Sequence, residues 1–164
     1  MHSDKNTVYL LLGSNLGNRE KFIDDALKLL AERVGEILQI SGIYETDAWG
    51  KTDQPGFLNA AIEIITMLNP PQLLEAVLKI ETDLGRLRHE KWGSRLIDID
   101  IILYRDEVIN LMGQLQIPHP EMQNRKFVLV PMAEIAANVI HPILQKNISE
   151  LLAILDDNLN VLKR

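Results

Sequence analysis

Apolar positions recur along this chain with two spacings, and the order in which the spacings alternate predicts its elements. Val8 to Leu12 is an unbroken apolar run that ends in Gly13-Ser14-Asn15, which predicts a strand running into a turn. Asn18 precedes Phe22, Ile23, Ala26, Leu27, Leu29 and Leu30 at helical spacing, so a capped helix is expected to about Arg33. Ile37 to Tyr44 and Phe57 to Thr66 read as a second and a third strand. Between them Glu45 to Gly56 is turn-rich and long for an idle connection. Asn69-Pro70-Pro71 starts a helix, since proline is tolerated in a first turn, and Leu73, Leu74, Val77 and Leu78 carry it to Gly85. A charged loop, GRLRHEKWGSR, then leads into a fourth strand, RLIDIDIILY. Beyond it the pattern predicts a hairpin over 107–117, a turn at Pro118-His119-Pro120, and helices near 128–137 and 148–155.

Strand, helix, strand, strand, helix, strand is the order of a ferredoxin-like α+β sandwich, an antiparallel sheet with helices packed on it, here with extra C-terminal helices. With 164 residues, 46% of them hydrophobic, the chain can fill one core and is short for two, so 1–164 is expected to be a single domain. It has no cysteine, which removes disulfides and thiolate metal sites and fits a reducing compartment. The N-terminal apolar run is too short for a signal peptide or a membrane span, so a soluble cytoplasmic protein is expected. A formal net charge of −6 opposes sequence-independent nucleic-acid binding, which needs a surplus of Lys and Arg.

The fourth strand carries the chemistry. Alternation puts Asp98 and Asp100 on one face and Ile97, Ile99 and Ile101 on the other. The two carboxylates then stand about 6 to 7 Å apart, and burying them without a cation or arginine between or beside them would cost several kcal/mol. Cations collect just upstream, at Arg86, Arg88, His89, Lys91 and Arg95 around Trp92, and again downstream at His119 and Arg125. A carboxylate pair that can hold Mg²⁺, with guanidinium groups nearby, is what phosphoryl chemistry needs. The partner expected for the aspartates is a metal-bound nucleotide.

Four blocks, GSNLGNRE, DQPGFLNAA, GRLRHEKWGSRLIDIDIILY and IPHPEMQNRKFVLVPMAEIA, resemble in order and content the 6-hydroxymethyl-7,8-dihydropterin pyrophosphokinases of folate biosynthesis. The resemblance spans nearly the whole chain and implies the ferredoxin-like fold already read from the element order. It also implies transfer of the β,γ-diphosphoryl group of ATP to the pterin hydroxymethyl oxygen, with release of AMP. By the same resemblance, Asp98 and Asp100 would hold two Mg²⁺ ions and would act with Arg86 and Arg95 in catalysis. Glu81, Arg86, Arg88, Trp92, Arg95, Ile101, His119 and Arg125 match the ATP site, and Thr46, Trp49, Phe57, Asn59 and Phe127 the pterin site. Phenylalanine rings suit a flat heterocycle, and the donor and acceptor of Asn59 suit its amide-and-amine edge. A monomer is expected, with ATP and the pterin alcohol as its partners and no nucleic acid or membrane. The chain departs from the family pattern at Asp47, where proline is usual, and at Pro120, where an aromatic often follows the histidine.

Each feature also has a plainer reading. An isolated Asp-Ile-Asp is more often a solvated strand face than a metal site, and the upstream arginines are what reverse that. Glu81 sits late in a helix, where a carboxylate opposes the dipole, so a local reason such as an arginine partner is expected. Polymerase-β-type nucleotidyltransferases also combine Gly-Ser with Asp-x-Asp, but close together, whereas here about half the chain separates Ser14 from Asp98. An RNA-binding ferredoxin-like module would need a basic sheet face, which the Asp98/Asp100 strand and the net charge oppose.

Overall fold

A computed structural model of the chain describes residues 5–15, 17–46, 56–86 and 96–164. Its central strand, β4 (Phe57–Thr66), pairs with the whole of β1 (Asn6–Ser14), from Asn6 opposite Thr66 to Ser14 opposite Leu58. On its other edge β4 meets β2 (Gly35–Ile40) and then β3 (Tyr44–Thr46). β5 (Asp98–Tyr104) lies outside β1, and a short β8 (Val161–Lys163) extends the sheet beyond β3. A separate hairpin joins β6 (Ile109–Leu111) to β7 (Leu115–Ile117). Every pairing is antiparallel, as expected for the ferredoxin-like order.

The expected single strand over Ile37–Tyr44 is two strands, because its register against β4 slips one residue between Ile37 and Gln39 and again before Tyr44. At the second slip Ser41 replaces the ladder: its N–H donates to the Ala61 carbonyl and its hydroxyl accepts the Ala61 N–H, both at 2.9 Å. Such bulges bend a strand while leaving its polar groups paired.

Helices cover both faces. On one, Phe22, Ile23 and Leu30 of α1 (Arg19–Arg33) and Leu73, Val77 and Ile80 of α2 (Pro70–Arg86) bury against Val8, Leu10, Leu58, Ile62 and Ile99. Burying each such side chain is worth roughly 1.5–3 kcal/mol. Asn18 caps α1 by accepting the Lys21 N–H, and α2 starts with a reciprocal pair in which Asn69 and Gln72 each accept the other's backbone N–H. The second face carries α3 (Lys126–Ala136) and α4 (Ile148–Ile154), whose Val128, Leu129, Met132, Ile148 and Leu151 pack on Tyr9, Leu11, Ala61 and Ile102. The extra C-terminal helices therefore complete a three-layer sandwich.

β5 has its own irregularity. Tyr9 pairs with Leu103 but Leu10 with Ile101, which leaves Ile102 as an extra residue. Ile102 and Leu103 then both join the α3 side, while Asp98 and Asp100 keep strict alternation with Ile99 and Ile101.

Candidate active site

The site lies at the end of the sheet where β1 stops. Gly13 is paired with Asn59 of β4 on one side and with Asp98 of β5 on the other, and Asn59 is paired in turn with Tyr44. A row of residues, Asp98, Gly13, Asn59 and Tyr44, thus crosses the sheet with no side chain between Asp98 and Asn59. Above it opens a cavity of about 290 Å³, floored by Leu11 and Gly13. Its walls are Asp98 and Asp100 at one end, Thr46, Phe57 and Asn59 at the other, and Arg125, Phe127 and Leu159 facing the sheet. Both aspartates are half-buried.

Two of these lining residues carry a polar atom that is buried without a partner among the described residues: Thr46 Oγ1 and Asn59 Oδ1. Leaving such atoms unpaired costs about 1–3 kcal/mol each, a cost that a ligand supplying donors would recover. The Asn59 amide is oriented by its Nδ2, which donates to the Leu12 carbonyl at 3.2 Å. Phe57, the first residue of β4, is 42% exposed and lines the cavity. Phe127 enters from the start of α3, and the Arg125 guanidinium stands 5.7 Å from its ring centroid, a cation–π distance. Arg19 donates to Glu45 Oε2 at 2.9 Å and to the Gly56 carbonyl at 2.8 Å, linking the residues on either side of 47–55.

A second cavity, of about 370 Å³, lies on the other side of β5, between α2 and the β6–β7 hairpin. Leu74, Val77 and Leu78 of α2, Ile99 and Ile101 of β5, and Leu111 and Leu115 of the hairpin form an apolar slot rimmed by Asn110, Gln114 and Gln116. Glu81, Asp100 and His119 border it as well, so Asp100 lines both cavities. Glu81 has a clear local reason for its place late in α2, since its Oε2 accepts the outward N–H of Ile99, on the sheet's edge strand, at 2.7 Å.

His119 is tied to the extra residue of β5, its backbone N–H donating to the Ile102 carbonyl at 3.0 Å. Burial pushes the imidazole pKa below its usual value, and Arg125 lowers it further, against the opposing pull of Asp100 and Glu121. Because Nδ1 accepts the Glu121 N–H at 3.2 Å, the neutral ring carries its proton on Nε2, as a donor.

Of the residues expected from the sequence, Thr46, Phe57, Asn59, Asp98, Asp100, Arg125 and Phe127 come together in the first cavity, and Glu81, Ile101 and His119 join Asp100 at the second. Trp49, Arg88, Trp92 and Arg95 lie outside the described residues, as does the side chain of Arg86, which ends α2. The sequence reading passed over Gly13, Leu11 and Leu159. A signal existed for Gly13 in the GSN that follows the first strand. The neighbouring Ser14 is structural, its hydroxyl donating to the Leu96 carbonyl at 2.7 Å just before β5.

A family model described as 7,8-dihydro-6-hydroxymethylpterin-pyrophosphokinase matches residues 9–137. The chain belongs to this family. Among the pyrophosphokinases it resembles, the 2-amino-4-hydroxy-6-hydroxymethyldihydropteridine pyrophosphokinase of Aquifex aeolicus is 47% identical over 144 residues, covering 88% of this chain and 89% of the relative. That of Bacillus subtilis is 47% identical over 135 residues, covering 82% and 80%. The fold is that of Plasmodium falciparum HPPK-DHPS wild type with pteroate, with a TM-score of 0.77 over 93% of this chain at 17% identity. The chain spans only 45% of that longer one. As a member of the family it is a pyrophosphokinase of folate biosynthesis. The polymerase-β and RNA-binding alternatives fall away. No described helix is long and apolar enough to cross a membrane.

Proposed function

We propose that the chain moves the diphosphoryl group of ATP onto the hydroxymethyl oxygen of 6-hydroxymethyl-7,8-dihydropterin, giving AMP and the pterin diphosphate, in a magnesium-dependent reaction. The observation that carries this reading is the place of Asp100, whose residue borders two cavities of different chemistry. In the first cavity the pterin ring lies between Phe57 and Phe127, and its N–H edge meets the Asn59 and Thr46 oxygens, which have no partner among the described residues. Each aromatic face contributes roughly 1–3 kcal/mol of stacking. The apolar slot on the far side of β5 suits a purine, with Ile101 in its wall. A triphosphate running from that slot toward the pterin passes the Nε2–H of His119, then the Asp98/Asp100 pair, and ends beside Arg125.

Asp98 and Asp100 fit magnesium by their chemistry, since both are hard oxygen donors on one strand face beside the expected phosphate path. Mg²⁺ typically takes one or two protein carboxylates and completes its shell with phosphate oxygens and water. We assign these two residues as the ligands of two ions, which when bound would neutralise and orient the phosphates. The protein's own contribution is placement: β5 fixes the carboxylates, Glu81 pins β5 through Ile99, and the two cavities set the acceptor oxygen and the phosphates on either side of Asp100. Arg86 and Arg95 complete the catalytic set, Arg88 and Trp92 the nucleotide set, and Trp49 the pterin set. The working unit is one domain, acting as a monomer in the cytoplasm.

The test is to follow AMP release from ATP with and without the pterin alcohol, and with and without EDTA. The reading expects AMP only when pterin and magnesium are both present. ADP as product would overturn the reaction assigned, and full activity in EDTA would overturn its metal dependence.

A further inference from the structure

We infer that the stretch between α4 and β8, beyond the residues matched to the family, forms a wall of the pterin cavity, and that Leu159 contacts the bound ring. The family match ends at residue 137, yet Leu159 lines the first cavity together with Phe57 and Phe127. Its placement is built. Asp157 bridges with both carboxylate oxygens: Oδ1 accepts the Leu159 N–H at 2.9 Å and Oδ2 accepts the Lys126 N–H at 3.3 Å. The Lys126 ammonium in turn donates to the Leu159 carbonyl at 3.2 Å. Lys126 directly precedes Phe127, so one residue fixes both the ring on α3 and the leucine opposite the sheet.

The other end of the stretch is tied to the opposite wall. Val161 is paired with Thr46 and Lys163 with Tyr44, while the Arg164 N–H donates to the Ile43 carbonyl at 2.8 Å. Leu159 therefore hangs between Phe127 and Thr46, two residues assigned to the pterin. It is half-buried and lines the cavity, and an alkyl side chain there suits a ring surface that offers no hydrogen bonds. Asp157 acts only through Leu159 and Lys126 and is a positioning residue.

The inference rests on the pterin assignment of this cavity, and the test separates the two. Equilibrium binding of 6-hydroxymethyl-7,8-dihydropterin, in the presence of Mg²⁺ and a non-hydrolysable ATP analogue, is measured for the full chain and for Leu159→Ala, Leu159→Met and Asp157→Ala. Losing the alkyl contact should weaken pterin binding roughly three- to tenfold in Leu159→Ala. Leu159→Met should recover most of that loss, Asp157→Ala should resemble Leu159→Ala, and affinity for the ATP analogue should hold in all three. Unchanged pterin affinity in Leu159→Ala overturns the inference, and so does an equal loss for both ligands accompanied by a lower melting temperature. If Leu159→Ala does not fold, Asp157→Ala decides the matter: wild-type pterin affinity there overturns the inference as well. A wild-type chain that binds no pterin would instead defeat the assignment of the cavity.

Discussion

Gly13→Ala is expected to abolish most pterin binding while leaving the fold nearly as stable as before. A Cβ on residue 13 would lie 2.8 Å from Asn59 Nδ2, whereas nonbonded heavy atoms sit at about 3.5–4.0 Å, so the amide must withdraw by roughly 0.7 Å or more. The backbone is held on both sides, because Gly13 is paired with Asn59 of β4 and with Asp98 of β5. Asn59 is only 4% exposed, so its side chain must rotate. Rotation breaks the 3.2 Å hydrogen bond to the Leu12 carbonyl and moves Oδ1 from the position proposed for its pterin contact. The lost hydrogen bond costs about 0.5–1.5 kcal/mol of stability, while replacing glycine by alanine inside a strand returns about 0.5–1 kcal/mol. The net change is about 1 kcal/mol or less. The pterin, by contrast, loses a partner worth about 1–3 kcal/mol, which is a roughly five- to 150-fold weaker Kd. A thermal melt and a pterin titration on the same sample measure both quantities, with KM for ATP as the control. A folded Gly13→Ala variant that binds pterin as tightly as the wild type would refute the role given to Asn59 and the packing argument with it.

Asp98→Asn and Asp100→Asn keep side-chain shape but remove charge, so turnover should fall roughly a hundred- to a thousandfold while pterin affinity falls far less. Near-normal turnover of either folded variant at ordinary Mg²⁺ removes that aspartate from the metal shell. Phe57→Ala should weaken pterin binding by roughly 1–3 kcal/mol at little cost in melting temperature, because the ring packs on the cavity and not on a core. Phe127→Ala should do both, since Phe127 also packs against the core under α3, and an equal loss of ATP affinity in either variant would mark a packing role alone. His141 is buried, its Nδ1 accepts the Ile143 and Leu144 N–H groups at 3.2 and 3.1 Å, and burial holds its pKa below the usual 6.5. The unfolded chain therefore takes up this proton first on acidification, so the stabilisation is present above about pH 6.5 and is lost as pH falls through the lower folded value. Melting temperature should drop below that pH in the wild type and drop less steeply in His141→Asn; identical slopes would contradict this.

The sequence determined what depends on spacing along the chain. Alternation separated Asp98 and Asp100 from Ile99 and Ile101, helical periodicity and Asn18 bounded α1 at Arg33, and Phe57–Thr66 appeared as a strand with its observed limits. These features are set by neighbours a few residues away, where side-chain direction follows directly from backbone period. The four family blocks added most of the site residues and the reaction. What depends on which distant strands lie side by side emerged from the folded sheet. Two register slips split the second expected strand at Ser41, and neither can be seen without β4 beside it. His119, from beyond the β6–β7 hairpin, is held beside Asp100 by its hydrogen bond to the carbonyl of Ile102, the extra residue of β5. Gly13 became a site residue only when Asn59, far along the chain, was found to occupy the space its missing side chain leaves. Leu159 reached the cavity through Asp157 and Lys126, a contact between residues that no local pattern connects, since hydrogen bonds and close approaches of this kind are fixed by the packing of the whole sheet.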